Sequence, residues 1–211
     1  MNQNIRLRFA KGGALRFIGH LDFQRVFMQT VTRAGLPAAY SQGFNPHILL
    51  SFALPLPLGM ASINDYADIA LAAPMAQEEI IQRLNAAAPA GLAIHEASPY
   101  EGKGAAAITT AAKYEFTPTT TLPPDACEKI MAMEALVVPK KTKSGVKDTD
   151  IRPDIFQLTH GETITMLLAA GSARFINPLT VAGQLAGQPP CPSTICRVQL
   201  YKSSGKELVA L

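Results

Sequence analysis

Ile5, Leu7 and Phe9 alternate with Arg6 and Arg8, the period of two that gives a strand one apolar and one basic face. Near Gly19 the period becomes helical. At about 100° per residue, Phe23, Phe27, Thr30, Val31 and Ala34 share one side, and Asp22, Arg25, Gln29 and Arg33 share the other. Gly35 suits a left-handed stop, Leu36 can fold back as its apolar contact, and Pro37 prevents continuation. Residues 48–54 and 66–71 read as buried strands. Pro74 introduces a helix over 76–88, Pro89 and Gly91 end it, and 92–97 supplies another strand.

Residues 99–112, with Gly102 and Gly104, read as a connector. The same order then recurs: strand 113–119, helix 125–133, strands 135–140 and 163–170, helix 178–186 and strand 195–201. A length of 211 residues accommodates two domains of about 100 residues each. The predicted fold class is therefore α+β, two tandem ferredoxin-like (split βαβ) units with antiparallel sheets, over residues 1–98 and 113–211. The repetition lies in the order of elements rather than in matching residues.

An apolar content of 48% with 17% charged residues predicts a folded chain. The net charge of +3 is unevenly placed. Residues 1–35 hold six Lys/Arg and one acid, 36–100 hold one and five, and 101–211 hold twelve and ten. A basic N-terminal region can concentrate a polyanion even when the whole chain is nearly neutral. The start has neither the basic nor the apolar region of a signal peptide, and no apolar run approaches the ~20 residues of a membrane span. A cytoplasmic location with no membrane partner is expected. Cys127, Cys191 and Cys196 have no zinc-site spacing, so reduced thiols, with no metal and no cofactor, are expected.

The segment Tyr40-Ser41-Gln42-Gly43-Phe44-Asn45-Pro46-His47 joins turn formers to rings and side-chain amides. Its rings suit stacking on an unpaired base, and Gln42, Asn45 and Ser41 suit hydrogen bonding; the plain alternative packs Tyr40 and Phe44 into the core. His20 opens the first helix, where it can donate to a phosphate or simply close the helix end. Arg25 and Arg33, with Arg6, Arg8, Lys11 and Arg16 near in sequence, are candidate phosphate contacts. So are Lys140, Lys141, Lys143 and Lys147 around a glycine turn, and Arg152, which Asp150 can orient and Arg174 approach. No Ser-His-Asp arrangement, carboxylate pair or phosphate-binding loop is present.

Four segments, Gly19-His20-Leu21-Asp22, Arg33 to Pro37, Tyr40 to His47 and Pro55 to Gly59, resemble the radical-SAM-linked protein family of unknown function, found alone or fused behind a radical SAM enzyme domain. Asp150 to Pro153 and Arg174 to Pro178 resemble its later motifs, and Ile48 departs from it where a second proline is expected. The resemblance implies an accessory role beside a radical SAM enzyme, with a connection to tRNA or rRNA. The chain has no Cys-x₃-Cys-x₂-Cys run to hold that enzyme's cluster. An RNA-binding adaptor is the leading expectation. Its rivals are a metal-independent endoribonuclease using His20 or His47, by fold analogy with CRISPR repeat-processing enzymes, and a pure protein-docking module.

Overall fold

The computed structural model describes residues 2–142, 145–205 and 207–211. Lys143 and the side chain of Lys141, two of the predicted phosphate contacts, lie outside the described set. The first half runs β1 (Gln3–Lys11), α1 (His20–Arg33), β2 (Leu50–Phe52), β3 (Ala61–Leu71), α2 (Gln77–Ala87) and β4 (Leu92–Pro99). After the short α3 (Ala105–Ile108) come β5 (Thr109–Phe116), α4 (Ala126–Ala132), β6 (Val137–Thr142), β7 (Gly145–Asp150), β8 (Ile155–His160) and β9 (Ile164–Ala169). α5 (Pro178–Ala186), β10 (Ile195–Ser204) and β11 (Glu207–Ala210) complete the chain. It is a mixed α and β fold, and no described helix is long and apolar enough to cross a membrane.

One large, mostly antiparallel sheet carries both halves, in the order β4-β1-β3-β10-β5-β9-β8. β2 covers one part of the outer edge of β3, pairing at Ile69 to Ala67, and β10 takes another, pairing parallel at Ala61 and Ser62. The first four sheet strands of each half are thus ordered fourth, first, third, second, all antiparallel within the half, and β11 adds a fifth to the second half by pairing with β10.

The end of α1 is set as its sequence requires. Gly35 takes φ +62°, its N–H bonds to Thr32 O at 3.1 Å, and the Leu36 N–H reaches Val31 O at 3.4 Å, with Leu36 buried beside Val31. Two expectations are corrected. The 99–112 connector is partly structural: Ala105, Thr109, Ala111 and Ala112 are buried, and β5 begins at Thr109. The strand expected at 135–140 joins no large sheet; as β6 it pairs only with β7 in a separate hairpin. Its expected place is filled by β8, where a register shift between Ile155 and Gln157 breaks the alternation and leaves only Ile155 and Leu158 buried.

Residues opposite one another on neighbouring strands share a face. One row therefore crosses the junction of the halves: Lys11, Ser62, Arg197, Tyr114, Met166 and Leu158. It lies under the helices, since the Lys11 ammonium sits 4.5 Å from the centre of the Phe23 ring in α1, and Tyr114 and Met166 share a core with Ile130 of α4 and Val181 of α5. Its first four members are polar and almost wholly buried. Arg197 is answered by Asp65 Oδ2 at 2.7 Å and by the carbonyls of Leu54 at 2.8 Å and Pro55 at 3.2 Å. Burial lowers the Lys11 pKa below that of a free lysine, with Asp65 opposing the shift.

Removing one partner of such a pair leaves the other charge buried and unanswered. Arg197→Ala is expected to lose about 3 to 5 kcal/mol of folding stability in urea unfolding. The double variant Asp65→Leu, Arg197→Met is expected to lose less than the sum of its two single variants. Additive losses would show that the pair is not the unit of coupling.

Candidate functional site

Tyr40 to His47 leaves α1 along the end of β3. Ala38 bridges Leu71, Ala39 N–H bonds to Ala70 O at 2.8 Å, and Leu49 N–H returns to Ala39 O at 2.9 Å. The neck is then closed by a Tyr40–Ile48 bridge and by Ser41 N–H to His47 O at 2.8 Å. Ser41 Oγ accepts from the His47 amide at 3.1 Å and lies 2.8 Å from its Nδ1, so the hydroxyl proton can serve that nitrogen. Gly43, at φ +132°, turns the tip.

This neck holds the aromatic side chains out of the core. Phe44 is fully exposed (105%) and Tyr40 half exposed, with Gln42, Asn45 and His47 also in solvent. The alternative that packed Tyr40 and Phe44 inside is thereby corrected. Ile48, the departure from the resembled motif, is the residue that goes inward, into the first-half core.

Beside the loop, on the sheet face turned away from α1 and α2, is a cleft of about 310 Å³ lined by Asn4, His47, Ser51, Asp68 and Tyr100 among others. Asp68 is gripped by Arg6 through Nε at 2.8 Å and a terminal nitrogen at 3.1 Å, and by Ala105 N–H at 2.5 Å. The Arg6 guanidinium lies 4.5 Å from the centre of the Tyr100 ring. Burial and the Asp68 charge push the Tyr100 hydroxyl pKa up, so it stays a neutral donor. Of the residues lining the cleft sequence reasoning found only His47, and it named Arg6 as a phosphate contact rather than as the partner of Asp68. Asn4 could have been found, since period two puts it on the polar face with Arg6 and Arg8.

His20 is at the far end of α1, whose 14 residues span about 20 Å. Its ring meets the edge of Phe52 at 5.5 Å, and burial, Lys11 and Arg197 all lower its pKa. It is therefore a neutral imidazole at pH 7, separated from the loop with which the sequence groups it.

The expected basic surface is dispersed. Arg6 and Arg8 are on the opposite sheet face, held by Asp68 and by Glu96 at 3.1 Å, and Lys11 is buried. Arg16 donates to Gly59 O at 2.7 Å and Ser193 O at 2.8 Å, tying the halves together. Only Arg25 and Arg33 project from α1, Arg25 beside Asp22 at 2.8 Å and Arg33 bonded to Ala87 O at 3.0 Å. In the second half, Lys140 and Lys147 face each other across the β6–β7 hairpin, both exposed. Arg152 is a structural brace, donating to Met131 O at 2.6 Å and Ile155 O at 3.0 Å. Asp150 binds its backbone N–H at 3.0 Å, and Arg174 pairs instead with Asp154 at 2.6 Å.

A larger groove, about 550 Å³, runs between β6 and α5 past Val138, Leu179 and Pro190, with no charged side chain lining it. Thr180, Gln184 and Gln188 are its polar side chains, and among its described lining residues it has neither an aromatic ring nor a titratable group, both of which the loop and its cleft provide. All three cysteines are free thiols.

Comparison with known proteins yields one family, described as an uncharacterized protein conserved in bacteria (DUF2344), matching residues 4–178. No curated protein is similar to the chain. The matched span includes the loop, both ends of α1, the cleft and the second-half hairpin, and by that match the chain belongs to this bacterial family.

Proposed function

We propose that this protein is an RNA-binding accessory factor, built from two ferredoxin-like units, that acts with a radical SAM enzyme in tRNA or rRNA modification. The observation that carries the RNA reading is Phe44, fully exposed at the tip of a loop whose neck is closed by Ser41 and His47. An exposed aromatic ring held on an ordered loop supplies a stacking surface for any unpaired base. Tyr40 and His47 add further rings, Gln42 and Asn45 add side-chain amides, and Arg33, exposed, ends the helix that leads into the loop. Exposed Arg25, Lys140 and Lys147 add a sequence-independent attraction for phosphate. The strand order fourth, first, third, second in both halves supports the paired ferredoxin-like units. The radical SAM partner rests on the motif resemblance alone.

Titration of labelled single-stranded RNA in chelator tests the binding, and intact RNA after incubation separates an adaptor from a metal-independent nuclease. Phe44→Ala is expected to weaken binding by about 1 to 3 kcal/mol. Because no charge is lost, the salt dependence should stay the same. Because the ring is exposed, urea unfolding should shift by no more than about 0.5 kcal/mol. Unchanged RNA affinity would leave the loop as a protein-docking surface, to be sought by co-purification with the enzyme partner.

Arg25→Ala is expected to reduce the slope of log affinity against log salt by about 0.7 for single-stranded RNA, one phosphate contact's worth. The same slope in wild type and variant would remove Arg25 from the binding face.

A further inference from the structure

We infer that the cleft beside the Tyr40–His47 loop is a pocket for a single unpaired adenine, an inference that rests on the RNA-binding function proposed above. Its volume of about 310 Å³ is at the small end of ligand pockets, suited to one nucleoside rather than to a helix. Its position on the open sheet face lets a strand reach it without displacing a helix.

The stacking platform is Tyr100. The Arg6 guanidinium lies over this ring at 4.5 Å, and Asp68 holds Arg6 through two nitrogens, so the ring is braced where it lines the cleft. The edge reader is Asn4. Its backbone carbonyl accepts from the Tyr100 N–H at 3.1 Å, which fixes reader and platform relative to each other. Its carboxamide is exposed, and no other Asn or Gln lines the cleft. One amide offers a donor and an acceptor side by side, the complement of adenine N7 and N6.

The carboxylate in the cleft argues against guanine. Guanine presents N1–H and N2–H₂ donors that a free carboxylate would accept, but Asp68 already takes two Arg6 nitrogens and the Ala105 N–H. The donor–acceptor edge of a pyrimidine can also pair with the Asn4 amide, but its single ring covers less of the Tyr100 face and stacks more weakly than adenine. Ser51 and the His47 Nε2, which has no partner among the described residues, remain for the sugar and backbone of the bound nucleotide.

The test uses the full chain. AMP, GMP, CMP and UMP are titrated while backbone amide resonances are followed by NMR, and A-, C- and U-oligonucleotides of equal length are titrated in parallel. AMP should shift residues 4, 51 and 100 and bind tightest, and oligo(A) should bind more tightly than oligo(U). Asn4→Ala should weaken oligo(A) about tenfold and oligo(U) less, since adenine is held more firmly on Tyr100. Tyr100→Leu should weaken every base about tenfold, with Tyr100→Phe retaining binding. Oligonucleotides that bind alike whatever the base, with Asn4→Ala as good as wild type, would overturn the adenine pocket and leave RNA binding by the loop standing. AMP binding at residues 4, 51 and 100 without binding of any oligonucleotide would uphold the pocket and end the RNA reading. No AMP shift at those residues would also overturn the pocket.

Discussion

Arg197 is fully buried where the two halves meet, and a guanidinium taken out of water must be paired and hydrogen-bonded at that point. Asp65 answers its charge from β3, and the carbonyls of Leu54 and Pro55 take two more of its hydrogens. The latter two bonds hold the chain between β2 and β3. Gly59, four residues beyond Pro55, then approaches Pro192 so closely that a Cβ would come 2.8 Å from the proline Cβ. Gly59 also exchanges hydrogen bonds with Arg16, just ahead of α1. The start of α1 follows from that contact, and the direction of α1 sets where its far end delivers the Tyr40–His47 loop. One buried ion pair therefore connects the junction of the halves to the placement of a loop a helix-length away.

The two faces of the large sheet have different work. One is closed by α1 and α2 in the first half and by α4 and α5 in the second, and it holds the apolar cores. On the other, the first half keeps its arginines and acids in pairs, Arg6 with Asp68 and Arg8 with Glu96. Those pairs answer the basic face of β1 internally, so it makes no open field for a polyanion. What that face offers is a shaped cleft with fixed polar groups, bordered by a loop whose neck is already bonded. Preorganisation of this kind lowers the entropy lost when a ligand is bound.

Elements with strong local signals were legible in the sequence. The alternation of β1, the Gly35 stop of α1 and the Pro178 start of α5 each have a local cause. β3 was read late because Ser62 and Asp65 look like loop residues until Arg197 supplies a reason to bury them. β8 was missed because its register shift spoils the alternation. The Tyr40–His47 loop was legible because its rings and amides are contiguous. The cleft was not, since Asn4, Ser51, Asp68 and Tyr100 come from four separate stretches and converge only when β1, β2 and β3 pair and β4 pairs with β1. Positive charge was legible too, yet whether an arginine is free depends on acids far away in sequence, such as Asp68 for Arg6.

The divided edge of β3 has a kinetic meaning. β2 caps one part of it from the neighbouring stretch of chain, whereas the other part waits for β10, whose Arg197 lies 132 residues beyond Asp65. As the chain leaves the ribosome, the first half can assemble its own sheet and helices while that short edge and the buried acid beside it remain unanswered. Contacts of such long separation close late, because loop entropy must be lost before they form. Completion of the fold is therefore tied to the arrival of its second-last strand, and until then an open strand edge is available to a neighbouring chain.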